Sequence, residues 1–116
     1  MKPTAISSVS RFQSFDLLAT LVAVVHGDGA VVYANAALED ALGMSRRSIE
    51  GSALADYYTE PQVLASARGG LRDNEFAALR YDTWVKRPGR DPLPVHVILT
   101  QTDKPGDILI EMLPLD

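Results

Sequence analysis

The chain is 116 residues long, 47% hydrophobic and 22% charged, the make-up of one globular domain and not of a disordered chain, a collagen or a coiled coil. Its 11 basic residues against 15 acidic ones leave a formal charge of −4 with no basic stripe, which argues against binding along a nucleic-acid backbone. The lack of cysteine removes disulfides, thiolate metal sites, a cysteine nucleophile and cysteine-linked flavin together.

Residues 1–10 read as a loosely ordered, Ser-rich lead-in, and residues 11–116 as a single domain. Phe12, Phe15, Leu18 and Ala19 recur at helical spacing and predict a short amphipathic helix over 11–20. The unbroken apolar run 21–25 is a strand; Gly27-Asp28-Gly29 is the turn after it, and 30–34 is a second strand. Residues 17–25 are apolar enough for a short signal core, but Asp16 stands at their head and a turn, not a cleavage site, follows. No run reaches the roughly 18 apolar residues of a membrane span, so the expectation is a cytoplasmic domain.

At Asn35 the pattern turns helical. An Asn side-chain oxygen accepts the free backbone N–H two or three residues on, which makes Asn35 a structural N-cap. Ala37, Leu38, Ala41 and Leu42 form the apolar stripe of that helix, and Gly43 ends it. Ser45 caps another short turn closed by Gly51, and Leu54, Tyr57 and Tyr58 suggest one more. Pro61, with Val63, Leu64, Ala67 and Leu71, opens a helix up to about Arg72, weakened at its end by Gly69-Gly70. A strand over 76–87 puts Leu79, Tyr81, Thr83 and Val85 on one face and Arg80, Asp82, Trp84 and Lys86 on the other. After a turn at 88–91, Val95, Val97 and Leu99 alternate with His96, Ile98 and Thr100; residues 103–107 turn, and 108–113 is the last strand. The reading is an α+β fold: five antiparallel strands, short helices between the second and third, and an amphipathic helix at the start.

The segment Asp28-Gly29-Ala30-Val31-Val32-Tyr33-Ala34-Asn35-Ala36-Ala37 resembles the D-G-x-[IV]-x-[YF]-x-N-x-A signature of PAS sensor domains. Leu42-Gly43-Met44-Ser45 and Ile49-Glu50-Gly51 resemble its continuation, and the likeness spans about 12–115. Three further stretches are similar to the amino-terminal PAS domain of NtrB-type nitrogen-regulation sensor histidine kinases: Thr59-Glu60-Pro61, the segment 87–95, and the ending Ile110-Glu111-Met112-Leu113-Pro114-Leu115. The resemblance implies a PAS fold serving a two-component signalling kinase, whose phosphoaccepting and ATP-binding domains are absent from these residues. It also implies a PII-type regulator acting on the full-length kinase.

Nothing in the chain suggests catalysis by these residues alone: there is no G-x-S-x-G elbow, H-E-x-x-H pair or phosphate loop. His26 and His96 stand far apart and away from the middle helices, so neither metal nor heme is expected. The resemblance implies a small cavity, and candidates for its lining are Val24, Tyr33, Leu42, Leu54, Tyr58, Leu64, Tyr81 and Val97. Their apolar and aromatic character favours a cavity filled by side chains; an open pocket receiving a small molecule is the alternative, and an NTF2-like enzyme a distant one. Ile98, then Leu109 and Leu113 on one side of the last strand and Ile108, Ile110 and Met112 on the other, leave both faces of the sheet partly apolar; one must pack on the middle helices, and for the second the Phe12, Phe15, Leu18 and Ala19 helix is the available cover, in the same chain or from a second copy. A homodimer is the favoured expectation. Arg46-Arg47 reads as a solvated helix face, and Arg68 and Arg72 as partners for Asp73 or Glu75.

Overall fold

The computed structural model describes residues 12–73, 78–102, 104 and 106–115; the lead-in at 1–10 and Phe76 lie outside the described residues. A 3-10 turn, Gln13–Leu17, precedes β1 (Leu21–Val25) and β2 (Val31–Ala34). Then come α1 (Ala36–Leu42), α2 (Arg46–Ile49), a 3-10 turn Leu54–Tyr57 and α3 (Gln62–Asp73). The long strands β3 (Leu79–Arg87), β4 (Arg90–Gln101) and β5 (Ile108–Pro114) complete the fold. Every pairing is antiparallel in the order β2-β1-β5-β4-β3, so the last strand lies between the first and the fourth.

The helices cover one face of the sheet. Leu21, Ala23 and Val25 of β1, Val95, Val97 and Leu99 of β4, and Ile110 and Met112 of β5 meet Leu38, Leu42, Ile49, Leu54, Tyr58 and Leu64 there. Seven residues are too few for a free helix in water. What holds α1 is burial of Leu38 and Leu42, one turn apart, roughly 1.5–3 kcal/mol each. Truncating Leu42 to Ala would cost about 2–5 kcal/mol. All five residues of β1 are buried, because its second face is covered as well: Val24 and Tyr33 pack there with Phe12, Phe15 and Leu109. β3 shows the expected alternation, with Thr83 and Val85 buried and Arg80, Asp82, Trp84 and Lys86 exposed.

Three features depart from the sequence reading. The first helix is only a 3-10 turn; Leu18 already has extended backbone, since the chain must straighten to enter β1. In this tight coil residues three apart eclipse, so Phe12 and Phe15 stack, ring centroids 6.0 Å apart, while Leu17 is 87% exposed and Leu18 and Ala19 face outward. α3 runs to Asp73, close to the end expected near Arg72; each Gly costs about 1 kcal/mol, and Leu64 and Ala67 anchor the helix to the core. The β3–β4 turn is tighter than expected, only Pro88-Gly89, because Arg87 and Arg90 already pair. Arg68 crosses to the β1–β2 hairpin, where its guanidinium donates to the Gly27 carbonyl at 2.6 Å; the side chains of Arg72, Asp73 and Glu75 lie outside the described ones.

Candidate functional site

The eight residues expected to line one cavity divide between two faces of the sheet. Leu42, Leu54, Tyr58, Leu64 and Val97 meet in the main core, with Tyr81 packed half-buried against them. Val24 and Tyr33 do not join them: they pair across β1 and β2 and point to the opposite face, against Phe12. Strand parity requires this, since Ala23 and Val25 face inward and successive side chains alternate.

Beside the core, a groove of about 380 Å³ opens between α3 and the beginning of β3, with Gln62, Val63, Ser66 and Ala67 facing Leu79, Arg80 and Tyr81. Behind it the Tyr81 hydroxyl donates to that of Tyr58 at 3.2 Å, and the two rings meet edge-on at 6.4 Å. Burial pushes both phenols above their ordinary range, so both remain neutral hydroxyls. Thr83, further along the inner face of β3, is 1% exposed, and its hydroxyl has no hydrogen-bond partner among the described residues.

A polar network lies on the other side of the sheet. One oxygen of Asp16 accepts from the Tyr33 hydroxyl at 2.7 Å, the Arg46 guanidinium at 2.8 Å and the Ala36 N–H at 3.0 Å. Glu39 accepts from the Arg46 backbone N–H at 2.6 Å and stands 3.5 Å from its guanidinium, which lies 5.3 Å from the centre of the Tyr33 ring. Arg46 is therefore no solvated residue: it closes the gap between α2 and the 3-10 turn, and only Arg47 faces water. Burial alone would raise the Asp16 carboxyl, but the hydrogen bonds from Tyr33, Arg46 and Ala36 outweigh it and hold the group below its usual range. For Tyr33, burial and the Asp16 acceptor act together and push the phenol far above its usual range.

Asn35, fully buried, is the second node. Its side-chain oxygen caps α1 by accepting from Leu38 N–H at 3.0 Å and also accepts from Val22 N–H at 3.0 Å. Its amide donates to the carbonyls of Phe15 and Thr20, each at 2.9 Å. The hairpin beside it closes as the motif implies: Asp28 accepts from Ala30 N–H at 2.9 Å, and Gly29 adopts φ 92°.

Each histidine has a carboxylate partner that the sequence did not reveal. His26 Nδ1 lies 2.8 Å from Oδ1 of the buried Asp107, and His96 Nδ1 lies 2.8 Å from Asp82 across the β3–β4 ladder. Neither pair reaches the core. Among the described residues no three of His, Asp and Glu are grouped as metal ligands, and no helix is long and apolar enough to cross a membrane.

No curated protein matches the chain. Among solved structures, the PAS domain of an HTR-like protein from Haloarcula marismortui superposes with a TM-score of 0.78 at 14% identity, covering 93% of this chain and 92% of that one. A domain of a sensory box sensor histidine kinase/response regulator from Geobacter sulfurreducens gives 0.68 at 16% identity, covering 94% and 98%. The PAS domain of the Cronobacter turicensis RpfR quorum-sensing receptor, in complex with BDSF, gives 0.69 at 11% identity, covering 85% and 96%. The family model for the PAS fold matches residues 15–91, the span that carries the Asp-Gly hairpin, the Asn35 cap and the middle helices, and the chain belongs to the PAS family.

Proposed function

We propose that this PAS domain is the sensory and dimerisation module of a cytoplasmic, nitrogen-regulation type sensor histidine kinase, passing conformational change to the kinase through Pro114-Leu115-Asp116. The sequence likeness to NtrB-type kinases supports the assignment, as does the similarity in fold to PAS domains of sensor histidine kinases. In such a kinase a PII-type protein would act on the full-length molecule.

The observation that carries the reading is the outer face of the sheet. Over β2, β1 and β5 the chain's own Phe12 and Phe15 cover it. Over β4 and β3 it presents Ile98 half-buried and Trp84 at 49% exposure, and Leu115, just past the end of β5, is 40% exposed. A second copy laid on this half would extend the cover without displacing the first. The test is sedimentation of the chain from nanomolar to high micromolar concentration, with Trp84→Glu beside it. A dimer weakened by Trp84→Glu is expected; a monomer throughout overturns the dimerisation role. ATP-dependent autophosphorylation by the native protein that carries this domain tests the kinase assignment.

The groove between α3 and β3 favours a second reading, a small-molecule receptor. RpfR PAS domains similar in fold were solved in complex with BDSF and with C12:0. A ligand that binds only the folded chain raises its melting temperature by mass action, so a melting shift with a small molecule supports this reading.

A further inference from the structure

We propose that the open edge of β3, beside the groove under α3, takes up an extended peptide as an added antiparallel strand. That peptide carries an acidic residue opposite Arg80, an apolar one opposite Tyr81 and a basic one opposite Asp82.

The sheet has two edge strands, β2 and β3, and a bare edge offers unpaired N–H and C=O groups to another strand. β2 is covered: Val31 N–H donates to the Ser52 carbonyl and Gly51 N–H donates to the Val31 carbonyl, each at 2.8 Å. β3 is covered only toward its far end, where Thr59 N–H donates to the Trp84 carbonyl at 3.1 Å and Tyr58 bridges to Val85. That bond fixes the parity of the strand. Trp84 stands opposite Pro94, which has no N–H and whose carbonyl accepts from Leu115 N–H at 2.8 Å, so Trp84 turns its backbone outward. Arg80 and Asp82 share its parity and turn outward too. Their N–H and C=O groups have no partner among the described residues.

The groove is the space beside this edge. Arg80 lines it although its side chain belongs to the exposed face, so what it presents there is main chain, while Leu79 and Tyr81 present side chains. Val63 and Ala67 wall it from α3. A strand laid along residues 79–83 would send alternate side chains into this space, onto half-buried apolar surface, and the others to the outer face beside Arg80 and Asp82. A second copy paired edge to edge would bring its own α3 to the same side of the sheet, facing the first. A peptide brings no such wall, and this favours it as the occupant.

Charge selects the peptide's sequence. Arg80 and Asp82 are both exposed, two residues apart and opposite in sign, and Asp82 also meets His96 at 2.8 Å. Two charges of one sign would select only their opposite at both positions. Opposite signs match one order in an antiparallel partner, basic, apolar, acidic from its N-terminus.

The test is a titration of the isotope-labelled chain with acetyl-Thr-Val-Lys-Val-Glu-Val-Thr-amide, read by NMR shifts and amide hydrogen exchange. Saturating peptide should slow exchange of the Arg80 and Asp82 amides by about tenfold or more and leave that of Val31 unchanged. The peptide with Lys and Glu interchanged should bind roughly tenfold more weakly, because both cross-strand pairs turn from attraction to repulsion. Asp82→Pro removes an outward N–H and sets a ring against the incoming strand while sparing the ladder to β4, so it should abolish binding. Asp82→Asn keeps the edge and should weaken binding only about two- to fivefold; melting checks that both variants fold. Unprotected Arg80 and Asp82 amides at millimolar peptide overturn the proposal, as does equal or tighter binding of the interchanged peptide, or binding that survives Asp82→Pro. Protection of these amides in the chain alone, rising with its concentration and lost in Asp82→Pro, assigns the edge to a second copy and overturns the peptide as its occupant.

Discussion

Replacing Asn35 with Ala should destabilise the domain well beyond the loss of an ordinary helix cap. A cap alone contributes about 1 kcal/mol, but Asn35 is fully buried and satisfies four backbone groups at once. Two of the four keep another partner after truncation. Leu38 N–H also donates to the Asn35 carbonyl at 3.1 Å, and the Phe15 carbonyl also accepts from Leu18 N–H at 3.1 Å. The others are worse placed. Val22 N–H points toward β2, where the Asn35 carbonyl is already committed to Leu38 and Glu39; the Thr20 carbonyl has only the Asn35 amide among the described residues. Two groups left unsatisfied cost roughly 1–3 kcal/mol each, so the expected loss is about 2–6 kcal/mol. With unfolding entropy near 2.1 cal/mol/K per residue, a loss of ~3 kcal/mol lowers the melting temperature by roughly 12 °C. Urea denaturation measures it directly. Asn35→Ser retains a cap oxygen and should recover only about 1 kcal/mol of the loss. If Asn35→Ala costs under 1 kcal/mol, or Asn35→Ser restores full stability, the residue is a cap and nothing more.

Three other outcomes follow from the same geometry. Gly29 holds φ 92°, and a Cβ there would stand 2.7 Å from Arg68 Nη1; Gly29→Ala should cost about 1–2 kcal/mol from the left-handed backbone alone, and it should also dislodge Arg68. Adding Arg68→Ala to that variant should then cost less than Arg68→Ala in the parent, and full additivity in urea melts would refute the contact. The folded Asp16 carboxyl titrates below its ordinary 3.8, so its contribution is present above that unfolded value and disappears as pH falls through the folded one. The stability gap between parent and Asp16→Ala should therefore hold from neutrality to about pH 5 and close in stronger acid; a gap that widens on acidification contradicts the network. Thr83→Val removes a buried hydroxyl that has no partner among the described residues and should leave stability unchanged or raise it by up to about 1 kcal/mol, whereas a clear drop in melting temperature would reveal a bond to that hydroxyl.

What was legible in the sequence is what local periodicity encodes. The β3 alternation of Leu79, Tyr81, Thr83 and Val85 against charged neighbours, the Leu38 and Leu42 stripe, and the Asp28-Gly29 turn each need only a few consecutive residues to declare themselves. The assignment of Val24 and Tyr33 to the inner cavity failed for the complementary reason. A run in which every residue from Leu21 to Val25 is apolar carries no parity signal, so only its register with β5, where Val24 stands opposite Leu109, reveals the outward face. The amphipathic helix over 11–20 failed because spacings of three suit a 3-10 turn as well as an α-helix, and tertiary bonds from Asn35 to Phe15 and Thr20 favour the shorter form.

The Asp16 and Arg46 network was illegible because its members stand 30 positions apart and neither belongs to a recognisable motif. Its position nevertheless has a physical consequence. Asp16 joins the 3-10 turn to β2 through Tyr33, to the start of α1 through Ala36, and to α2 through Arg46; Asn35 joins the same turn to β1 and α1. Hydrogen bonds to one carboxylate oxygen are directional, so moving α2 away from the 3-10 turn would stretch the Arg46–Asp16 bond. Asp16 thus ties the middle helices to the turn that carries the Phe12–Phe15 cover of the outer face by directional bonds that run outside the apolar core.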